Sequence, residues 1–166
     1  MRVRTWSILS SFWLTAACSS PPPAHDAPAP ARKAAVERPT DPAQITLGNG
    51  QANWIVLDGA TREGDTFTFR EVQIEGNGWL VMHPFKDGRP VGSIYVGATF
   101  VESGRNRDVS VRVDREPSRG EMFIVMLHSD VNDNRKFDFV FVDERNVLDK
   151  AVFEGNRMIA HRFAAP

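Results

Sequence analysis

The sequence predicts an all-β fold: an antiparallel, immunoglobulin-like β-sandwich of about seven to nine short strands. From Ile45 onward, short apolar runs alternate with turn sequences such as Asp58-Gly59 and Gly76-Asn77-Gly78. No stretch repeats apolar residues at helical spacing over three turns. Short strands at this spacing favour two packed sheets over a parallel sheet covered by helices.

The predicted strands either alternate in polarity or are continuously apolar. They are 52–57, 66–75, 78–83, 93–100, 107–114, 121–128 and 137–142, with a less regular pair at 150–153 and 157–163. Val109, Val111 and Val113 alternate with polar residues, which predicts a strand with one solvated face. The run Met122–Leu127 is apolar at every position, which predicts a central strand covered on both faces.

The strand at 66–75 changes phase along its length. Phe67 and Phe69 are out of step with Val72 and Ile74, so they cannot all face the core of a regular strand. This predicts a β-bulge near Arg70-Glu71.

The chain begins with a predicted signal peptide at residues 1–17, where Arg2 and Arg4 precede an apolar run that is too short to span a bilayer. Cys18, the only cysteine, follows Ala16-Ala17 and resembles the lipidated cysteine of bacterial lipoproteins, although Thr15 stands where leucine is usual. The alternative is an ordinary signal peptide with an incidental cysteine. Ser19 after Cys18, in place of aspartate, implies by the same resemblance an outer-membrane lipoprotein that faces the periplasm or the cell surface.

Residues 18–44 are rich in proline and alanine, a composition that predicts a disordered or polyproline-like tether ahead of a domain at 45–166. Removing residues 1–17 leaves 18 basic against 21 acidic residues, a net charge near −3. No basic patch or polybasic run is present, so the sequence does not favour a nucleic-acid partner.

An acidic loop follows the apolar run that ends at Leu127. Asp130, Asn132, Asn134 and Asp138 fall at positions 1, 3, 5 and 9 of a calcium-type loop, with the Lys136 carbonyl at position 7. These residues are the candidate Ca²⁺ ligands.

Two positions of this loop depart from the calcium pattern. Arg135 replaces the glycine at position 6, and Phe141 replaces the acid at position 12. The alternative is a hairpin turn in which Asp and Asn side chains bond their own backbone.

His83 and His128 each follow an apolar strand, and with Asp130 they would form a transition-metal site if the two strands paired. The alternative is a structural role in which each imidazole bonds a loop carbonyl or a carboxylate. Trp54 and Trp79 are either a stacking platform for sugars or core residues. No nucleophile elbow or phosphate-binding glycine loop occurs in the sequence.

Several segments together resemble an uncharacterised β-domain, a domain of unknown function, of archaeal and bacterial cell-surface proteins. They are 79–83, 88, 91–93, 109–113, 126–132 and 137–139. The resemblance covers roughly residues 50–163, and the family usually has glycine in the loop where this chain has Asp133 and Arg135. It implies a surface or periplasmic β-sandwich and no activity.

Three functions follow from these features. The first is a non-enzymatic, lipid-anchored envelope module that binds an envelope protein or a glycan. The second is a calcium-stabilised carbohydrate-binding domain, which needs Trp54 or Trp79 exposed beside the acidic loop. The third is a metal-dependent enzyme that uses His83, His128 and Asp130.

Overall fold

The structure is a computed structural model that describes residues 45–142, 145–146 and 148–166. The predicted signal peptide, Cys18 and the tether lie outside the described residues. The described chain is all-β, which confirms the predicted antiparallel β-sandwich. Its immunoglobulin-like character stays a prediction. Among the described residues no helix has the length and apolar character that a membrane span requires.

Most of the strands are short. In chain order they are β1 Thr46–Leu47, β2 Trp54–Val56, β3 Thr61–Glu63, β4 Thr66–Ile74, β5 Gly78–Lys86, β6 Arg89–Pro90, β7 Gly97–Val101, β8 Gly104–Arg112, β9 Met122–Ser129, β10 Phe141–Val142, β11 Arg145–Asn146, β12 Phe153–Glu154, β13 Arg157–Met158 and β14 Ala160–Ala164.

Two sheets form the body of the domain. In the first, β5 pairs with β7 on one side and with β9 on the other, and β9 also pairs with β14. In the second, β4 pairs with β8 on one side and with β2 and β3 on the other. All of these pairs are antiparallel. The parallel pair β1–β13 belongs to a small sheet with β12, and β10 and β11 form a separate short hairpin.

The core lies between the inner faces of the two sheets. Phe67 contacts both Phe123 and Phe163 edge-on, with ring centroids 5.6 Å apart in each pair. The side chains of Leu80 and Leu127, which face each other across β5 and β9, are fully buried in the same cluster. Edge-to-face aromatic contacts add to the stabilisation that burial of these rings provides.

The outer face of β5 and β9 is also buried. Trp79, Val81, Ile124 and Met126 form a second apolar cluster, and the chain after β9 supplies part of its cover through Phe137 and other residues. This confirms the prediction that the apolar run at 122–127 is a central strand covered on both faces.

The direction of the buried side chains in β4 changes near Arg70-Glu71, as predicted, but not through a bulge of one extra residue. Phe69 pairs with Val109 and Glu71 with Arg107, so β4 and β8 advance by the same number of residues. Both strands break together at Arg70 and Asp108, and Asp108 has a φ of 50°. The left-handed residue on β8 matches the distortion on β4, so no extra residue is needed.

Several predicted strands are shorter than expected. Of residues 52–57 only Trp54–Val56 is a strand, and of 150–153 only Phe153 is. Of residues 137–142 only Phe141–Val142 is a strand, and of 93–100 only the part from Gly97 is. In segments 93–100 and 137–142, residues outside the strands make other contacts instead. Phe137 packs on the outer cluster, and the Ile94 carbonyl accepts a hydrogen bond from His83.

The carboxylate of Glu154 ties β12 to the loop before β2. It accepts hydrogen bonds from the backbone N–H groups of Gln51, Ala52 and Asn53 at 2.7, 3.1 and 2.7 Å, and from Asn53 Nδ2 at 2.9 Å. Burial raises the pKa of Glu154, but the hydrogen bonds from Asn53, Gln51 and Ala52 outweigh it, so this pKa lies below its ordinary value.

We expect Glu154→Gln to lower the free energy of unfolding by about 2 kcal/mol, because an amide N–H₂ would face backbone donors. Since the folded pKa is depressed, the contribution is present above the unfolded pKa and is lost as the pH falls through the folded pKa. Chemical denaturation of both proteins from neutral pH into acid should therefore show a difference that shrinks in acid. Glu63→Gln, on the exposed strand β3, is the control, and a loss of equal size there would contradict the role of Glu154.

Candidate functional site

A pair of buried histidines lies on the outer face of the first sheet. His83 on β5 is fully buried and His128 on β9 is 3% exposed. Their Nε2 atoms are 3.4 Å apart, and the ring centroids are 5.6 Å apart. The sequence predicted that the two imidazoles would meet if the strands paired, and β5 and β9 do pair.

Each imidazole is oriented through its other nitrogen. His83 Nδ1 lies 2.5 Å from the Ile94 carbonyl oxygen, and His128 Nδ1 lies 2.6 Å from the Asp149 carbonyl oxygen. A carbonyl only accepts, so each Nδ1 carries a proton and donates it to its carbonyl. Burial lowers the pKa of His83 and the bond to Ile94 opposes this, so the neutral ring is favoured at neutral pH.

An aromatic cover closes over the histidine pair. The rings of Phe137 and Phe139 are stacked, with centroids 5.3 Å apart, and Phe139 lies 5.5 Å from His83 and 5.6 Å from His128. Tyr95 contacts both phenylalanines edge-on. The Phe137-Asp138-Phe139 segment therefore places two rings on the imidazoles.

The acidic loop is held by hydrogen bonds from its own backbone. Asp130 Oδ1 and Oδ2 accept the N–H groups of Asn134 and Arg135 at 3.2 and 2.8 Å. Asp133 and Arg135 have φ angles of 54° and 57°, and the carboxylate of Asp133 accepts a bond from Asn77. The bonds to Asp130 and the left-handed φ angles are features that the turn interpretation predicted, whereas the bond from Asn77 joins the loop to another turn.

The other candidate calcium ligands converge on Asp138. Its Oδ2 accepts Nδ2–H bonds from Asn132 and Asn134 at 3.1 and 2.8 Å, and Lys136 Nζ lies 3.5 Å from Oδ1. The bond from Asn132, then that from Asn134, hold the pKa of Asp138 below its ordinary value. Calcium binding by this loop stays a prediction.

Asp149 is a site residue that sequence reasoning missed. It is fully buried, and its Oδ1 and Oδ2 accept the backbone N–H groups of Val131 and Asp138 at 3.2 and 2.7 Å. One carboxylate thus clamps both ends of the acidic loop, and the backbone of the same residue orients His128. Asp149 lies 11 residues after Asp138 and 18 after Val131, outside the spacing of a turn, so the sequence gives no local signal of this role.

Asp130 does not join the histidines. Its carboxylate oxygens are directed at the loop backbone, and in the described part of the chain no group of three His, Cys, Asp or Glu side chains is arranged to hold a metal ion. The predicted site with three ligands is thus reduced to its two imidazoles.

The two tryptophans are not exposed beside the acidic loop. Trp79 is 9% exposed and packs against Phe100 and Phe137. Trp54 belongs to the second sheet, where its Nε1 donates to Glu71 at 3.1 Å and Arg105 lies over its ring. The arrangement that a calcium-stabilised carbohydrate-binding domain needs is therefore not found among the described residues.

These features define an all-β domain of two sheets with a histidine pair buried beneath the Phe137-Asp138-Phe139 segment. The chain belongs to the family described as Domain of unknown function (DUF7282), whose model matches residues 54–163. The family resemblance inferred from the sequence is thereby confirmed. No curated protein and no solved structure matches the chain.

Proposed function

We propose that the protein is a non-enzymatic envelope module, anchored by lipid at Cys18 to the outer membrane, that binds an envelope protein through an apolar patch. The anchor and the location rest on the sequence of residues 1–19. The binding role rests on the surface above the histidine pair.

The patch consists of Ile94, Tyr95 and Val140, which are 52%, 42% and 42% exposed, together with the half-buried ring of Phe139. Ile94 and Tyr95 adjoin in the chain, Tyr95 contacts Phe139 at 5.4 Å, and Val140 follows Phe139. Grouped exposed apolar side chains are typical of surfaces that bind a partner. This grouping is the observation that carries the proposal.

The absence of catalysis is part of the proposal, and the burial of the two imidazoles supports it. General acid–base catalysis needs a side chain within hydrogen-bond distance of the substrate proton. His83 and His128 lie beneath Phe139, and each uses Nδ1 on a backbone carbonyl.

A photo-crosslinking amino acid in place of Tyr95, in cells that export the full chain, tests the patch. We expect one adduct of defined mass, and we expect Ile94→Asp to reduce it strongly. The matched control places the same crosslinker at Leu47, which is 41% exposed and lies on β1, outside the patch. Equal adducts from both positions, or none from Tyr95, would count against the proposal, and an adduct of twice the chain mass would assign the patch to self-association.

A further inference from the structure

The distance between the two Nε2 atoms matches the spacing of two ligands on one metal ion. Two ligand bonds of about 2.05 Å at a tetrahedral angle of about 109° hold their nitrogens about 3.3 Å apart. The Nε2 atoms of His83 and His128 are 3.4 Å apart. Because each Nδ1 donates to a backbone carbonyl, an ion shared by both rings would have to be bound through the two Nε2 atoms.

The surroundings of the pair match those of a metal-binding imidazole. Histidines that bind metal almost always donate the other N–H to a carboxylate, a backbone carbonyl or water, which fixes the tautomer and the ring orientation. His83 and His128 both do this, through the carbonyls of Ile94 and Asp149. The partners come from two different loops, so the orientation is built by the tertiary structure.

The donors select the class of ion. Imidazole nitrogen suits zinc, copper, iron and nickel, whereas calcium and magnesium require oxygen ligands. The pair lies among aromatic rings, and no acidic side chain of the described residues forms a three-member cluster with it. Two imidazole ligands leave coordination positions open to a further ligand.

We propose that His83 and His128 together bind a single imidazole-preferring transition-metal ion, zinc or copper, beneath the Phe137 and Phe139 rings. This site adjoins the apolar patch through Phe139, but its ligands are buried whereas Ile94, Tyr95 and Val140 of the patch are exposed.

The test titrates the full chain, stripped with a chelator, with Zn²⁺ and with Cu⁺ under reducing conditions. We expect one ion per chain. For Zn²⁺ we expect the ¹⁵N resonances of both Nε2 atoms to shift, while the resonances of both Nδ1 atoms stay at the position of a protonated nitrogen. His128→Gln should weaken binding by about 100-fold or more, because even an outer-shell contact changes metal affinity by roughly 10- to 100-fold. Wild-type ¹⁵N spectra keep the test decisive if this variant folds poorly.

His161→Gln is the matched control, since its Nε2 lies 2.7 Å from Asn49 Oδ1, away from the pair. It should bind as the wild type does. Ca²⁺ serves as the hard-ion control and should leave the imidazole resonances unchanged. The proposal is overturned by an absence of binding, by equal affinity in His128→Gln, by binding without an Nε2 shift, or by the same Nε2 shift with Ca²⁺. Loss of the crosslinked adduct in Ile94→Asp with metal binding intact would show that the two sites act separately.

Discussion

Gly78→Ala is expected to lower the free energy of unfolding by about 3 kcal/mol, at the upper end of the cost of overpacking. Gly78 begins β5, the central strand of the first sheet. A Cβ at this position would overlap the carbonyl oxygen of His128 on the paired strand β9 and would lie 2.5 Å from Ile74 Cδ1. Because the obstructing atom belongs to the backbone, the two strands must separate to admit it. Urea denaturation of both proteins measures the difference.

Gly76→Ala is the control for this change. An added Cβ at Gly76 meets no atom within 4 Å, and its φ is not in the left-handed region. We therefore expect its stability to stay within about 1 kcal/mol of the wild type, with a small gain from the lower entropy of the unfolded chain. Equal losses in the two variants would show that contact with His128 is not the cause.

Asp149→Asn is expected to destabilise the domain by about 3 kcal/mol, since it replaces a buried carboxylate that accepts two backbone N–H bonds. One of the two donors, at Val131 or Asp138, would then face an amide N–H₂. The loss of stability should affect the acidic loop in particular as well as the whole domain. Hydrogen exchange should accelerate at the amides of Val131 and Asp138 before it does so in β9.

Asp133→Asn provides the comparison within the same loop. Asp133 is exposed and bonds Asn77 at the surface, and asparagine tolerates its left-handed φ of 54°. We expect little change in melting temperature or in exchange at Val131. If Asp149→Asn behaved in the same way, the clamp on the acidic loop would not depend on the buried carboxylate.

The pattern of apolar residues determined the strands of the core. Alternation at Val109–Val113 and continuous hydrophobicity at Met122–Leu127 are local signals, and the structure has β8 and β9 there, with β9 buried on both faces. The phase change in β4 was also visible, because side-chain direction has a period of two residues. The matching distortion at Asp108 on β8 was not visible, because it depends on the pairing of β8 with β4.

The candidate site was determined only in part by the sequence. Each histidine comes directly after an apolar run, and that position alone predicted that the two could meet if those runs paired as strands. The pairing of β5 with β9, the folding of Phe137 and Phe139 over the imidazoles, and the capture of the loop by Asp149 all join segments that are distant in the chain. The sequence by itself determined an all-β chain and the residue types of its loop. Only the tertiary structure decided that His83 and His128 face each other through Nε2, because the two carbonyls that orient them come from loops brought together by the fold.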